Sequence, residues 1–323
     1  MAPAAGGGRP GGVYPPVGPH ARGMLGVAGG DPNGEPAPVL HGGPGSGCTP
    51  GQRRLFDPGR YRVVLLDQRN CGRSRPHAAD AATDLSANTT HGLLADIERL
   101  RAHLGIDRWL VYGASWGATL ALAYAQRHPQ RVARLVLCGV TTTRRREIDW
   151  LFRGVGRFLP GQWQRFRDHV PEAAADTDVV AACAARMEHP EAAVRAAAAR
   201  AWTRWEDAVI GHETSGDPTA YTGRPERDRL ALVRICTRCF ANAAWLEEGA
   251  LLDGAHRLAG IPGTLIHGRL DLSSPLETAW LLHRAWPDSQ LQVVEDAGHT
   301  GGPSMGRHLL TALNGPGAPL PEA

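Results

Sequence analysis

Residues 110–120 read Leu-Val-Tyr-Gly-Ala-Ser-Trp-Gly-Ala-Thr-Leu. An apolar run ends in Gly-x-Ser-x-Gly and passes at once into an alanine-rich, helix-forming stretch at 118–126. No other segment restricts the fold as much. A serine at the tip of a strand-to-helix turn sits in strained backbone, and only glycine two positions to either side leaves room for that turn. The five-residue pattern recurs by chance, so its weight lies in the strand before it and the helix after. The plain alternative is a turn serine that caps the helix at Ala118.

The surrounding pattern agrees with such a turn. Apolar runs at 37–40, 61–66 and 134–139 are read as strands, and the nearly continuous apolarity of 61–66 suits a parallel strand covered on both faces. Residues 91–104 read as a helix with Leu93, Leu94, Ile97, Leu100 and Leu104 on one face, capped by Thr89 or Thr90. From about 141 to 258 strand runs vanish. Arginine-, alanine- and tryptophan-rich helical segments take over at 145–158, 163–169, 179–187, 190–210 and 227–246. Strands resume at 263–267 and 290–294, with helices at 275–285 and 305–313. The expectation is an α/β fold, a mostly parallel central sheet with helices on both faces and a helical cap insertion. Residues 1–35 form an irregular arm with one short strand near 24–27, 36–140 and 259–323 the core, and 141–258 the cap.

Composition excludes several partners. A net charge of +3, with basic residues spread apart from Arg144-Arg145-Arg146, argues against nucleic acid or an anionic membrane. No run of 18 apolar residues is present, so no membrane-spanning helix is expected. Residues 1–19 lack the apolar segment of a secretory signal, which makes the cytoplasm the expected location. Of six cysteines only Cys236-x-x-Cys239 forms a close pair. Without a second pair or histidines at zinc-site spacing, these are read as buried thiols, and neither metal nor cofactor is expected.

A serine hydroxyl becomes a useful nucleophile when a base takes its proton and a carboxylate holds the base in one tautomer. With a serine elbow the chain order is Ser, then Asp or Glu, then His. Asp271 follows the strand at 263–267 and His299 follows the strand at 290–294. Both therefore fall on loops at the carboxyl edge of the sheet, where sites of open α/β sheets form. The candidate triad is Ser115, Asp271 and His299. Asp271 has a second reading as a helix cap, which Ser273 or Ser274 supplies better, and His299 has one as a surface histidine. Asp296, close in sequence to His299, and His267, within a strand, are the rivals. The His41-Gly42-Gly43 turn after strand 37–40 lacks the Gly-Lys-Ser/Thr ending of a phosphate loop. Upstream of an elbow it fits the loop that donates one main-chain N–H to an oxyanion, so Gly43 and Trp116 are the expected donors.

Four segments together carry a family resemblance: 41–47 (His-Gly-Gly-Pro-Gly-Ser-Gly), 67–74 (Asp-Gln-Arg-Asn-Cys-Gly-Arg-Ser), 113–117 and 268–271 (Gly-Arg-Leu-Asp). The chain resembles the proline iminopeptidases, α/β-hydrolases of peptidase family S33, over roughly 30–300. The resemblance implies an α/β-hydrolase fold and release of N-terminal proline from peptides by a serine triad without metal. It also implies that acidic residues of the cap, helped by an arginine, hold the substrate's amine. Trp202-Thr203-Arg204-Trp205-Glu206 preserves one acid, with Trp202 and Trp205 as pocket wall or cap core. The second acid's position is Cys236 in Val-Arg-Ile-Cys, and the arginine's position is Cys138 in Leu-Val-Leu-Cys. The family's first hairpin is shortened between Tyr14 and Gly30. Two thiols in place of charged groups make a more apolar pocket, which favours a neutral or acylated substrate. The expected partner is a small molecule or short peptide. Related folds that open epoxides or break carbon–halogen bonds use an aspartate nucleophile, which Ser115 excludes. Acyl transfer to an amine or alcohol stays open, and a binding protein is expected to lose a triad member.

Overall fold

Side chains alternate across the sheet, and that alternation sorts the core into two layers. In a computed structural model that describes residues 26–170, 178–211 and 218–316, Leu40, Val64, Leu66, Val111, Leu135, Leu137 and Leu265 face one layer. Their chain neighbours Val39, Val63, Leu65, Leu110, Val136 and Ile266 face the other. The strands are β1 (Gly26–Gly30), β2 (Glu35–Leu40), β3 (Tyr61–Leu66), β4 (Trp109–Ala114), β5 (Val132–Cys138), β6 (Gly263–Gly268) and β7 (Ser289–Val294). The first layer is closed by α1 (Thr90–His103), α2 (Trp116–Arg127) and α9 (Leu276–Ala285), and the second by α10 (Pro303–Asn314). Thr89 caps α1 by accepting from Gly92 N at 3.1 Å.

The sheet order is β1-β3-β2-β4-β5-β6-β7, parallel except for β1 against β3. From β2 the chain steps outward to β3, then returns to place β4 on the other side of β2. Strand order therefore reverses between β2 and β4, and a crevice opens at their carboxyl ends. The register pairs Leu40 with Gly113, so the turn after β2 and the turn after β4 start side by side.

Between β5 and β6 lie α3 (Arg145–Phe152), α4 (Pro160–Asp168), α5 (Val179–Met187), α6 (Ala192–Gly211) and α7 (Glu226–Ala241), followed by the short α8 (Ala250–Asp253). Their core is aromatic: Phe152 lies 4.2 Å from Trp202, centroid to centroid, and Phe166 stacks on Trp205 at 5.9 Å. The strand expected at 24–27 is β1. Its glycine-rich sequence, Gly-Val-Ala-Gly-Gly, offers little period to read. Residues 1–25 of the expected arm, including most of the segment where the hairpin is shortened, and the tail at 317–323 lie outside the described residues.

Candidate active site

The turn from β4 into α2 places Ser115 at φ 55°, ψ −123°, a conformation side chains other than glycine rarely adopt. The flanking glycines make it possible. A Cβ on Gly113 would stand 2.3 Å from Gly117 O, and one on Gly117 would stand 1.9 Å from Leu40 O. Ser115 Oγ makes no capping bond to α2; it faces His299 Nε2 at 3.0 Å. His299 Nδ1 lies 2.8 Å from Asp271 Oδ2. A carboxylate can only accept, so Nδ1 carries the proton and Nε2 is free to accept from the serine.

Asp271 is buried, which works against its charge. The adjacent His299 and the Ser274 N–H, 2.7 Å from Oδ1, nonetheless hold the carboxyl below its usual range. His267 stands behind it. The Val140 N–H donates to His267 Nδ1 at 3.0 Å, so its Nε2 carries the hydrogen and donates to Ser274 O at 2.6 Å. Burial lowers its pKa and keeps the imidazole neutral. With both ring nitrogens so engaged, His267 steadies the acid loop and does not replace His299. The other rival, Asp296, is exposed and accepts from Ser304 Oγ at 2.6 Å.

Gly43 and Trp116 line one cavity with Ser115 and His299. Trp116 is the first residue of α2, where a main-chain N–H has no carbonyl one turn back to bond. The cap roofs the cavity, whose empty space is about 590 Å³ with its open mouth included.

Of the five substrate contacts expected from the sequence, Glu206 alone lines this cavity. It is 8 % exposed and its Oε2 has no hydrogen-bond partner among the described residues. Burial pushes its carboxyl up to about 8, against the opposing pull of Arg224, the Trp202 indole and His299. Trp202 and Trp205, fully buried, belong to the cap's aromatic core; the Trp205 indole donates to Leu151 O at 3.0 Å. Cys236 donates its thiol to Pro44 O at 3.2 Å, and burial raises its pKa strongly. Cys138 ends β5 beneath the elbow, where its carbonyl accepts from Ser115 N at 2.9 Å and burial pushes its thiol up to about 12. Neither thiol lines the cavity: the Cys236 thiol is spent on Pro44 O, and Cys138 packs in the second core layer.

Sequence reasoning missed Glu147, Tyr221 and Phe240, which share the cavity wall. Glu147 accepts from Thr142, from Arg144 N and Nε, and from Thr278 Oγ1 of α9. Its signal was present, a carboxylate three residues into a helix that follows Thr141-Thr142-Thr143. Tyr221 lies in a loop held by buried Asp207, which accepts from the N–H groups of Tyr221 and Thr222, and no periodicity announces it.

A strand–serine–helix elbow at a sheet's switch point, with an acid after β6 and a histidine after β7, defines an α/β hydrolase, and the alpha/beta hydrolase fold model matches residues 39–302. A probable proline iminopeptidase of Streptomyces coelicolor is 46% identical over 94% of this chain and 97% of its own. Proline iminopeptidases of Xylella fastidiosa and Arabidopsis thaliana are 44% and 40% identical, over 89% and 93% of this chain and 93% and 80% of theirs. The chain belongs to the proline iminopeptidase family. Among solved structures, a proline iminopeptidase of Mycobacterium smegmatis shares the fold at TM-score 0.53, 18% identical over 89% of this chain and 91% of its own.

Proposed function

We propose that this protein is a serine hydrolase that releases N-terminal proline from short peptides through an acyl-serine intermediate. The observation that carries the substrate side is Glu206, a buried carboxyl with an unpartnered oxygen in the same cavity as Ser115 and His299. The secondary amine of an N-terminal proline supplies the cation that such a group lacks. As Ser115 Oγ bonds to the scissile carbonyl carbon, its proton passes to His299 Nε2. Asp271 steadies the imidazolium. The carbonyl oxygen, now an oxyanion, meets the Gly43 and Trp116 N–H groups. Collapse breaks the C–N bond, and the leaving amine takes the proton from His299. Water then attacks the acyl-serine with His299 as base, and Ser115 regains its proton as proline departs.

All six cysteines are free thiols, as a reducing compartment keeps them, and the cytoplasm is the location that fits. A second reading has one observation in its favour. Cys236 is a buried thiol where the resemblance expects a second carboxylate, so among the described residues one acid with an open oxygen, Glu206, faces the substrate. A pocket of that kind suits neutral esters or amides. Prolyl naphthylamide and p-nitrophenyl esters decide between them. Rapid arylamide cleavage, abolished in Ser115→Ala, supports the peptidase; ester cleavage with no prolyl arylamide turnover overturns it.

A further inference from the structure

The segment Asp-Gln-Arg-Asn-Cys-Gly-Arg-Ser at 67–74 contributes no side chain to the triad, yet Gln68 is 3 % exposed and touches both halves of the oxyanion site. Its side-chain Nε2 donates to His41 O at 2.9 Å, and its Oε1 accepts from the Trp116 indole Nε1 at 2.9 Å. The amide's orientation is unambiguous, since an indole N–H can only donate and a carbonyl can only accept. The Gln68 main-chain N–H also donates to His41 Nε2 at 3.1 Å. That leaves the His41 hydrogen on Nδ1, which donates to Gly42 O at 2.9 Å. Gln68 thus bonds, through one side chain, the turn that carries Gly43 and the residue that carries the other oxyanion N–H.

The remainder of the segment anchors Gln68. Asp67, fully buried, accepts from Cys48 N at 2.7 Å and from Arg73 N at 3.0 Å and Nε at 2.6 Å. These bonds tie the far end of the glycine-rich turn to the same strand end. Ser74 Oγ donates to Asp67 O at 2.7 Å. Glutamine meets three demands at position 68: a donor toward His41 O, an acceptor toward the indole, and the length to reach both. Glutamate lacks the donor, asparagine is one methylene short, and methionine has neither.

We propose that Gln68 is a positioning residue that sets the separation and aim of the Gly43 and Trp116 N–H groups, and that segment 67–74 is the rigid back of the oxyanion site. Such donors act only if held where charge develops, and displacement by a fraction of an ångström is felt in rate.

The test uses Gln68→Met, Gln68→Glu, Trp116→Phe and the double variant Gln68→Met/Trp116→Phe in the full-length protein. The readouts are p-nitrophenyl acetate hydrolysis, which does not depend on prolyl recognition, and inhibition by phenylboronic acid, whose serine adduct places an oxygen in the oxyanion site. Expected for Gln68→Met and Gln68→Glu is a fall in kcat/KM of about ten- to hundredfold, with boronate Ki weakened by the same factor. The acid limb of the pH profile stays in place, because Gln68 touches neither His299 nor Asp271. The double variant is no worse than Gln68→Met. A partly misfolded sample loses rate but leaves Ki unchanged, so a rate loss without a Ki change overturns the proposal, as does kcat/KM within twofold of wild type. If the Gln68 variants do not fold, Trp116→Phe decides, since it keeps the main-chain N–H while removing the indole donor to Gln68. A parallel fall in rate and boronate affinity of about threefold or more supports the clamp, and no change in either overturns it.

Discussion

Glu206 illustrates how one residue sets function against stability. Its carboxyl is raised from 4.5 to about 8, so the folded protein holds a proton that the unfolded chain releases above 4.5. Whatever stability this contributes is complete below 4.5 and is lost as pH rises toward 8. Glu206→Gln removes the dependence. Its Tm is expected to exceed that of wild type at pH 9 and to match it at pH 5, as thermal unfolding at both pH values will show. The same change is expected to raise KM for a prolyl arylamide at least tenfold, while p-nitrophenyl acetate is still cleaved at a similar rate. Asp271→Asn acts elsewhere. It leaves His299 without the acceptor that fixes its tautomer, and kcat is expected to fall by about 10³–10⁴ with KM little changed, measured on either substrate. That Ser115, Asp271 and His299 come within hydrogen-bond reach of one another was legible, because order and strand ends suffice for it. The readings of Trp202, Trp205, Cys138 and Cys236 were not, because a helix shows its periodicity but not which side is roof and which is core.

At the scale of elements, two glycines with one chemistry give opposite expectations. Gly117, in the first turn of α2, has Leu40 O where a Cβ would go, at 1.9 Å. Gly117→Ala must part β2 from the elbow. A fall in Tm of about 10 °C is expected, with activity lost in what remains folded, by calorimetry and esterase assay. Gly306 lies within α10 with nothing within 4 Å of its added Cβ. Gly306→Ala there is expected to stabilise by about 0.5–1 kcal/mol, since a helix interior favours alanine. Sequence pattern located these elements to within a few residues, α2 and β6 among them. It did not show that one glycine faces a carbonyl and the other open space.

Across the whole molecule, the cap meets the core at Glu147. Burial opposes its charge, but hydrogen bonds from Thr142, Arg144 N and Thr278, with the Arg144 guanidinium, hold its carboxyl below 4.5. Its contribution is present above 4.5 and lost as pH falls through the lowered folded value. Glu147→Gln leaves Arg144 buried without its counter-charge, at a cost of about 3 kcal/mol. The Tm gap between wild type and this variant is expected to be wide at pH 7 and to narrow below pH 4.5. Limited proteolysis is expected to clip the variant faster within 145–241. The sequence by itself determined the elbow, the order of serine, acid and histidine, and the succession of strands around a helical insertion. These are local patterns of period, glycine and strand end. Only the tertiary structure decided which cap residues face Ser115, that Glu206 Oε2 has no partner among the described residues, and that Gln68 bonds both His41 O and the Trp116 indole. Each of those depends on groups brought together from distant parts of the chain, 48 positions apart for Gln68 and Trp116, which no local pattern encodes.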